Sequence, residues 1–107
     1  MNTTNAPTKT RVTMQQLLHR EQAVFSTIPG MQELLHAAPG RRDELQARYP
    51  DAAFALMTAE NLFSGDREQN IIHQKAYFSI LSGETLPDIR FRYQRDMDLY
   101  VQAHMWD

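Results

Sequence analysis

The feature that most constrains this chain is the spacing of its apolar residues, which recur every three or four positions in the well-patterned segments. That spacing places them on one side of an α-helix, whereas a half-buried strand alternates at every second residue. No segment shows sustained alternation. Gly and Pro interrupt the pattern at Pro29-Gly30, Pro39-Gly40, Pro50, Gly65, Gly83 and Pro87. The sequence therefore predicts an all-α, compact single-domain bundle of five or six helices with short connections marked by Gly and Pro.

The apolar runs and their breakers divide the chain into six predicted helices. We expect them at about residues 14–27, at two short segments within 30–49, and at about 50–63, 67–81 and 88–105. The helices at 50–63 and 67–81 are apolar around most of their circumference, so they should form the core together with the last helix. The first helix should pack across these three. Asp66, with Gln69 three residues later, predicts a cap at the start of the fifth helix.

Length and composition indicate one globular domain. The chain has 107 residues, of which 42% are hydrophobic and 22% charged, with a formal net charge of −2. Residues 1–12 are polar and contain no apolar run, so we expect a flexible tail rather than a signal peptide, followed by one helical domain over 13–107. There is no cysteine and no run of about 18 apolar residues, which favours a cytoplasmic protein without disulfides or a membrane span.

The sequence contains no motif for catalysis, for a cofactor or for a metal ion. It has neither a glycine-rich phosphate-binding loop nor a nucleophile elbow. The four histidines, His19, His36, His73 and His104, are dispersed and form no His-Glu-x-x-His motif. We therefore predict that the protein is not an enzyme, holds no cofactor and has no metal site.

Polar residues within predicted apolar stripes suggest a buried pair. Glu21 lies in the middle of the stripe on the first helix, and His104 lies in that on the last helix, with Arg90 at its edge. A carboxylate that faces a core needs a partner, or its pKa shifts. We predict that Glu21 pairs with Arg90 or His104. The alternative is that the first helix is peripheral, with Glu21 solvated or bonded to backbone.

The last helix carries two apolar stripes. The main stripe consists of Ile89, Tyr93, Met97, Tyr100, Val101 and His104. A second stripe, on roughly the opposite side, contains Phe91, Leu99 and Trp106 together with Arg92 and Arg95. Aromatic residues and Arg are enriched at the centres of protein interfaces, so these five residues are the predicted partner-binding surface. Either the short helices within 30–49 fold back over this surface, or a partner, such as a second copy in a homodimer, covers it.

These patterns favour a small protein-interaction module, an accessory, regulatory or inhibitor protein of bacterial or phage type, that binds a partner protein or itself through the last helix. The alternative is a nucleic-acid-binding regulator, because residues 67–104 have the outline of a helix-turn-helix with basic residues nearby. Several Asp and Glu side chains crowd the same region, and aromatic residues stand where short polar readers of base edges belong. Nucleic-acid binding is therefore the less favoured of the two.

Overall fold

A computed structural model describes residues 19–105, and the side chains from residue 21 onward. This part of the chain forms six α-helices and no strand, which confirms the predicted all-α bundle. The predicted tail and the start of the first predicted helix lie outside the described residues. The helices are α1 His19–Phe25, α2 Met31–Leu35, α3 Arg42–Arg48, α4 Pro50–Glu60, α5 Arg67–Leu81 and α6 Leu86–Met105, with a 3₁₀ turn at Pro39–Arg41 before α3.

The helix α5 is central, because it contacts α1, α4 and α6. Its bounds are those predicted, and Asp66 forms the predicted capping box with Gln69. The buried side of α5 carries Ala76, Tyr77 and Ile80, and the Tyr77 ring packs on Phe25 of α1 at a centroid distance of 5.8 Å. The opposite side faces solvent: Ile71 and Phe78 are both exposed. The prediction that apolar packing would surround most of α5 is therefore wrong for this side.

The helix α4 begins at Pro50, as predicted, and buries a run of small side chains against its neighbours. It ends at Glu60, three residues earlier than expected. The Asn61 side-chain amide donates to the Met57 carbonyl oxygen (2.7 Å), and its side-chain oxygen accepts a hydrogen bond from Ser64 (2.8 Å). These local bonds compete with continuation of the helix. Phe63, predicted to be a buried helical residue, consequently lies in the loop and is 82% exposed.

The short helices α2 and α3 pack against α4 and form the rim of the bundle. Leu34 and Leu45 are buried there. Gly30, just before α2, has a φ of +84°, and a β-carbon at this position would lie 2.1 Å from Cγ of Tyr49. Only glycine satisfies both constraints. Tyr49 then donates from its hydroxyl to Glu33 (2.7 Å), which links the end of α3 to α2.

The helices α5 and α6 form an antiparallel pair along the length of α5. Near the turn, Arg92 pairs with Glu84, and farther along Lys75 lies 3.4 Å from Asp96. At the far end, the Tyr100 hydroxyl donates to Asp66, the residue that caps α5. Beyond Tyr100, the Nε2 atom of His104 still lies 3.5 Å from Glu68 in the first turn of α5. Val101, predicted to lie on the core stripe, is exposed because it lies about 120° from Ile89 around the helix, and Ile89 alone of that stripe is fully buried.

Loss of the Asp66 carboxylate should destabilise the fold. This carboxylate accepts hydrogen bonds from the Gln69 backbone amide (2.9 Å) and from the Tyr100 hydroxyl. The hydrogen bond from Tyr100 and then that from Gln69 lower the pKa of Asp66 below its usual value of 3.8. A lowered folded-state pKa stabilises the protein above pH 3.8, and this contribution is lost as the pH falls through the folded-state value. At pH 7 we expect Asp66→Ala to reduce Tm by a few degrees, and the difference from wild type to narrow below about pH 4.

Thermal unfolding followed by circular dichroism between pH 7 and pH 2 measures this difference. Asp66→Asn keeps an oxygen that accepts the Gln69 amide but cannot ionise, so its Tm at pH 7 should lie between those of wild type and Asp66→Ala. A Tm difference between wild type and Asp66→Ala that is the same at all pH values would contradict a stabilising role of the ionised carboxylate.

The ion pair between Arg42 and Glu60 should also contribute to stability. It joins α3 to α4 at 2.8 Å, and both side chains are nearly buried. Glu60→Ala leaves the Arg42 charge in that environment without this carboxylate, so we expect unfolding to become easier by about 3 kcal/mol. Urea unfolding measures the change. The matched control is Glu44→Ala, which breaks the exposed Arg41–Glu44 pair at 2.9 Å and should cost at most about 0.5 kcal/mol. Equal effects of the two variants would contradict this account.

Candidate interaction surface

The side of α6 that points away from the bundle is set by its 3.6-residue period. Ile89 is 1% exposed and fixes the inward direction, with Tyr93 and Tyr100 on the same side. At about 100° per residue, Phe91 lies nearly opposite this side, and positions 95, 98, 102 and 105 follow it. Leu99 lies beside them. We refer to the residues Phe91, Arg95, Asp98, Leu99, Gln102 and Met105 as the outer face of α6.

The apolar side chains of the outer face are exposed to solvent. Phe91 is 71% exposed, Leu99 57% and Met105 69%. The rim helices α2 and α3 pack on α4 and leave Phe91 and Leu99 uncovered. The sequence left open whether the short helices fold back over this surface. Among the described residues, they do not cover Phe91 or Leu99. A single exposed apolar side chain is common, but three along one helix, with the exposed Ile71 lining the same groove as Leu99, make this face the candidate interaction site.

The predicted partner-binding residues fall into three groups. Phe91, Arg95 and Leu99 lie together on the outer face, as the second stripe required. Arg92 turns instead toward α5 and pairs with Glu84, so it borders the α5–α6 contact. Trp106 lies outside the described residues. Asp98 and Gln102 also lie on the outer face. Because both side chains are polar, the pattern of apolar residues does not indicate them.

The predicted buried pair joins Glu21 to Arg90 or His104. Each of these three residues has a contact elsewhere in the described part of the chain. Arg90 donates to Asp51 at 2.8 Å, which joins α6 to α4. The His104 Nε2 atom lies 3.5 Å from Glu68, and the His104 ring packs on Tyr100. Burial, followed by a hydrogen bond to Glu21, raises the pKa of Tyr77. Arg90 thus contacts α4 and His104 contacts the start of α5, while the pairing of Glu21 with either residue stays a prediction.

A shallow groove runs between α5 and α6 beside the outer face. Its volume is about 340 Å³, and Ile71, Leu99 and Ala103 supply its apolar lining. Lys75 and Asp96, which pair with each other, also border it. Ile71 and Leu99 are both exposed and line the same groove, so the apolar surface continues from Leu99 onto α5.

A cluster of polar side chains lies inside the bundle, between α5 and α6. His73 is 9% exposed; its Nδ1 lies 2.8 Å from the Gln69 carbonyl oxygen and its Nε2 lies 3.1 Å from the Tyr93 hydroxyl. A neutral ring that donates from Nδ1 and accepts at Nε2 fits both contacts. Burial raises the pKa of Tyr93. Both ring nitrogens thus contact the protein itself, and the cluster joins α5 to α6.

A second polar cluster lies at the exposed end of the α5–α6 pair. The hydrogen bond to Asp66, followed by desolvation, raises the pKa of Tyr100 to about 12. The hydroxyl therefore stays protonated at neutral pH and remains a donor to the cap. Among the described residues, no three His, Asp or Glu side chains lie close enough together to hold a metal ion.

Three basic side chains of the helix-turn-helix outline pair with nearby carboxylates. Lys75, Arg90 and Arg92 each lie within ion-pair distance of a carboxylate, those of Asp96, Asp51 and Glu84 respectively. The α5–α6 contact is an antiparallel hairpin, in which the second helix lies along the first. A helix-turn-helix instead crosses its helices at about 90–120° and leaves the recognition helix free to enter the groove. This geometry does not favour nucleic-acid binding.

Within residues 19–105, no helix is long and apolar enough to cross a membrane. Comparison with protein-family models, with curated proteins and with solved structures gave no match for this chain.

Substitution on the outer face should leave the fold intact. Phe91→Ser removes a side chain that is 71% exposed, so the free energy of unfolding should change by less than about 0.5 kcal/mol. Ile89→Ala, two residues earlier on the same helix, empties a buried site and should cost about 3 kcal/mol. Urea unfolding at a low protein concentration measures both values. A loss for Phe91→Ser as large as that for Ile89→Ala would mean that Phe91 belongs to the core.

Proposed function

We propose that this protein is a small cytoplasmic protein-interaction module, of an accessory or regulatory kind, that acts by binding a protein through the outer face of α6, beginning with a second copy of itself. The observation that supports the proposal most directly is the exposure of Phe91, Leu99 and Met105 on one side of a helix whose other side is packed. Burial of such side chains drives most protein association.

The composition of the outer face suits an interface. Apolar side chains lie at its two ends and near its middle, and polar side chains lie between them. Interfaces of folded proteins that exchange partners combine apolar anchors with polar groups in this way, since the free subunit must stay dissolved. The helix itself is 20 residues long and is held to the bundle by Arg90, Tyr93 and Tyr100. The face is thus presented on a rigid element and requires no folding upon binding.

A second copy is the first partner to consider. A closed pair related by a twofold axis is the commonest assembly of soluble proteins, and it uses the same face on both subunits. Because the face is one helix wide, the buried area is small, and the complex should be of the weak, reversible kind that suits regulation.

Measurement of mass across protein concentration tests the proposal. Light scattering and sedimentation velocity should give a monomer at low concentration and a dimer as concentration rises to about 1 mM. Phe91→Ser combined with Leu99→Ser removes apolar area from the face and should weaken the dimer at least tenfold, since each buried side chain contributes about 1.5–3 kcal/mol.

The matched control is Phe63→Ser, which removes an exposed aromatic side chain in the α4–α5 loop, outside the outer face of α6. It should leave the dimer unchanged. A wild-type protein that stays strictly monomeric over the whole range would overturn self-association. Equal weakening by the control would mean that the dimer forms elsewhere.

A further inference from the structure

The outer face of α6 has the residue spacing of a helix-pairing seam. Phe91, Arg95, Asp98, Gln102 and Met105 are separated by four, three, four and three residues. Two α-helices that pack side by side contact each other at this spacing; here the two end positions are apolar and the three positions between them are polar. All five positions point away from the bundle, so the seam is free to meet a second helix.

The charges within the seam are self-complementary only in one orientation. Arg95 and Asp98 lie one turn apart, and both are exposed. In a parallel pair, Arg95 would face Arg95 and Asp98 would face Asp98 of the second copy. In an antiparallel pair related by a twofold axis, Arg95 of each copy faces Asp98 of the other, which gives two opposite-charge contacts about the axis.

We propose that the second copy docks with its α6 antiparallel to the first, in the register that places Arg95 of each subunit against Asp98 of the other. This inference rests on the proposed function and adds the partner's orientation and register. One turn outward on both helices, Phe91 lies opposite Gln102. There it lies close to Leu99 and Met105 of the second copy, so the apolar side chains flank the charged centre at both ends.

The local contacts of the two charged groups leave them available. Asp98 accepts a hydrogen bond from Gln94 at its Oδ1 atom (2.9 Å). A carboxylate has two oxygens, so Asp98 can accept a further hydrogen bond from a second donor. Arg95 has a loose contact of 3.7 Å with Asp96, and its side chain is 57% exposed. An Arg fork can retain one such contact while it binds a second carboxylate.

Charge reversal tests the register. Arg95→Asp alone gives two acidic positions on every seam, and Asp98→Arg alone gives two basic positions, so each variant should dimerise at least about tenfold more weakly than wild type. An equimolar mixture of the two variants should form a heterodimer of about wild-type strength, because each acidic position then faces a basic one. Arg67→Asp, at the start of α5 and outside the seam, makes the same change in net charge as Arg95→Asp and serves as its control.

Cysteine cross-linking distinguishes the antiparallel from the parallel arrangement. The chain contains no cysteine, so only introduced thiols can react. In the proposed register Gln94 lies beside Val101 of the second copy, whereas in a parallel pair it lies beside Leu99. A mixture of Gln94→Cys and Val101→Cys should therefore form a heterodimeric disulfide more readily than a mixture of Gln94→Cys and Leu99→Cys.

The possible outcomes separate the two proposals. A wild-type dimer that weakens upon Phe91→Ser and Leu99→Ser substitution but is insensitive to both charge reversals, with no rescue in the mixture, would overturn the register and leave the interaction surface in place. Preferential cross-linking of Gln94→Cys with Leu99→Cys would overturn the antiparallel orientation. A wild-type protein without any dimer would overturn both the register and self-association.

Discussion

The position of α5 between its neighbours is the constraint on which the rest of the structure depends. One side of this helix packs on α1, α4 and α6, and the carboxylate at its start accepts the Tyr100 hydroxyl of α6. The same carboxylate caps α5, so the beginning of one helix and the alignment of the next are set by one side chain. Because α6 must lie along α5, its direction, its inward side and its outward side are all determined together.

The helices themselves were predictable because their signals are local. Pro50 at a first helical position, the Asp66–Gln69 capping box and the Gly/Pro breakers act within a few residues, and the predicted bounds of α5 match those observed. The end of α4 was missed because it depends on side-chain bonds of Asn61 to Met57 and Ser64, which compete with one more helical turn. No apolar pattern records that competition, since Leu62 and Phe63 continue the stripe into the loop.

Side-chain exposure was harder to predict than helix position, because it depends on how helices cross. The outer stripe of α6 was identified from period alone, and Phe91 and Leu99 lie on it. The main stripe was drawn too wide, since Val101 lies about 120° from the buried Ile89 around the helix and is exposed. The contacts of Arg90 with Asp51 and of His104 with Glu68 could not be predicted for a similar reason. Long polar side chains reach whichever charged group the packing brings near them, and nothing in the sequence distinguishes Asp51 and Glu68 from the other acidic residues.

The rim around Gly30 and the outer face of α6 differ in how they respond to sequence change. At Gly30 a positive φ and the adjacent Tyr49 ring leave room for one residue type. On the outer face, Phe91, Arg95 and Asp98 hold few contacts within their own subunit. Residues of that kind can be exchanged during evolution at almost no expense to folding. Under the proposed function, the choice of partner can therefore diverge between descendants of this chain while the bundle beneath it stays the same.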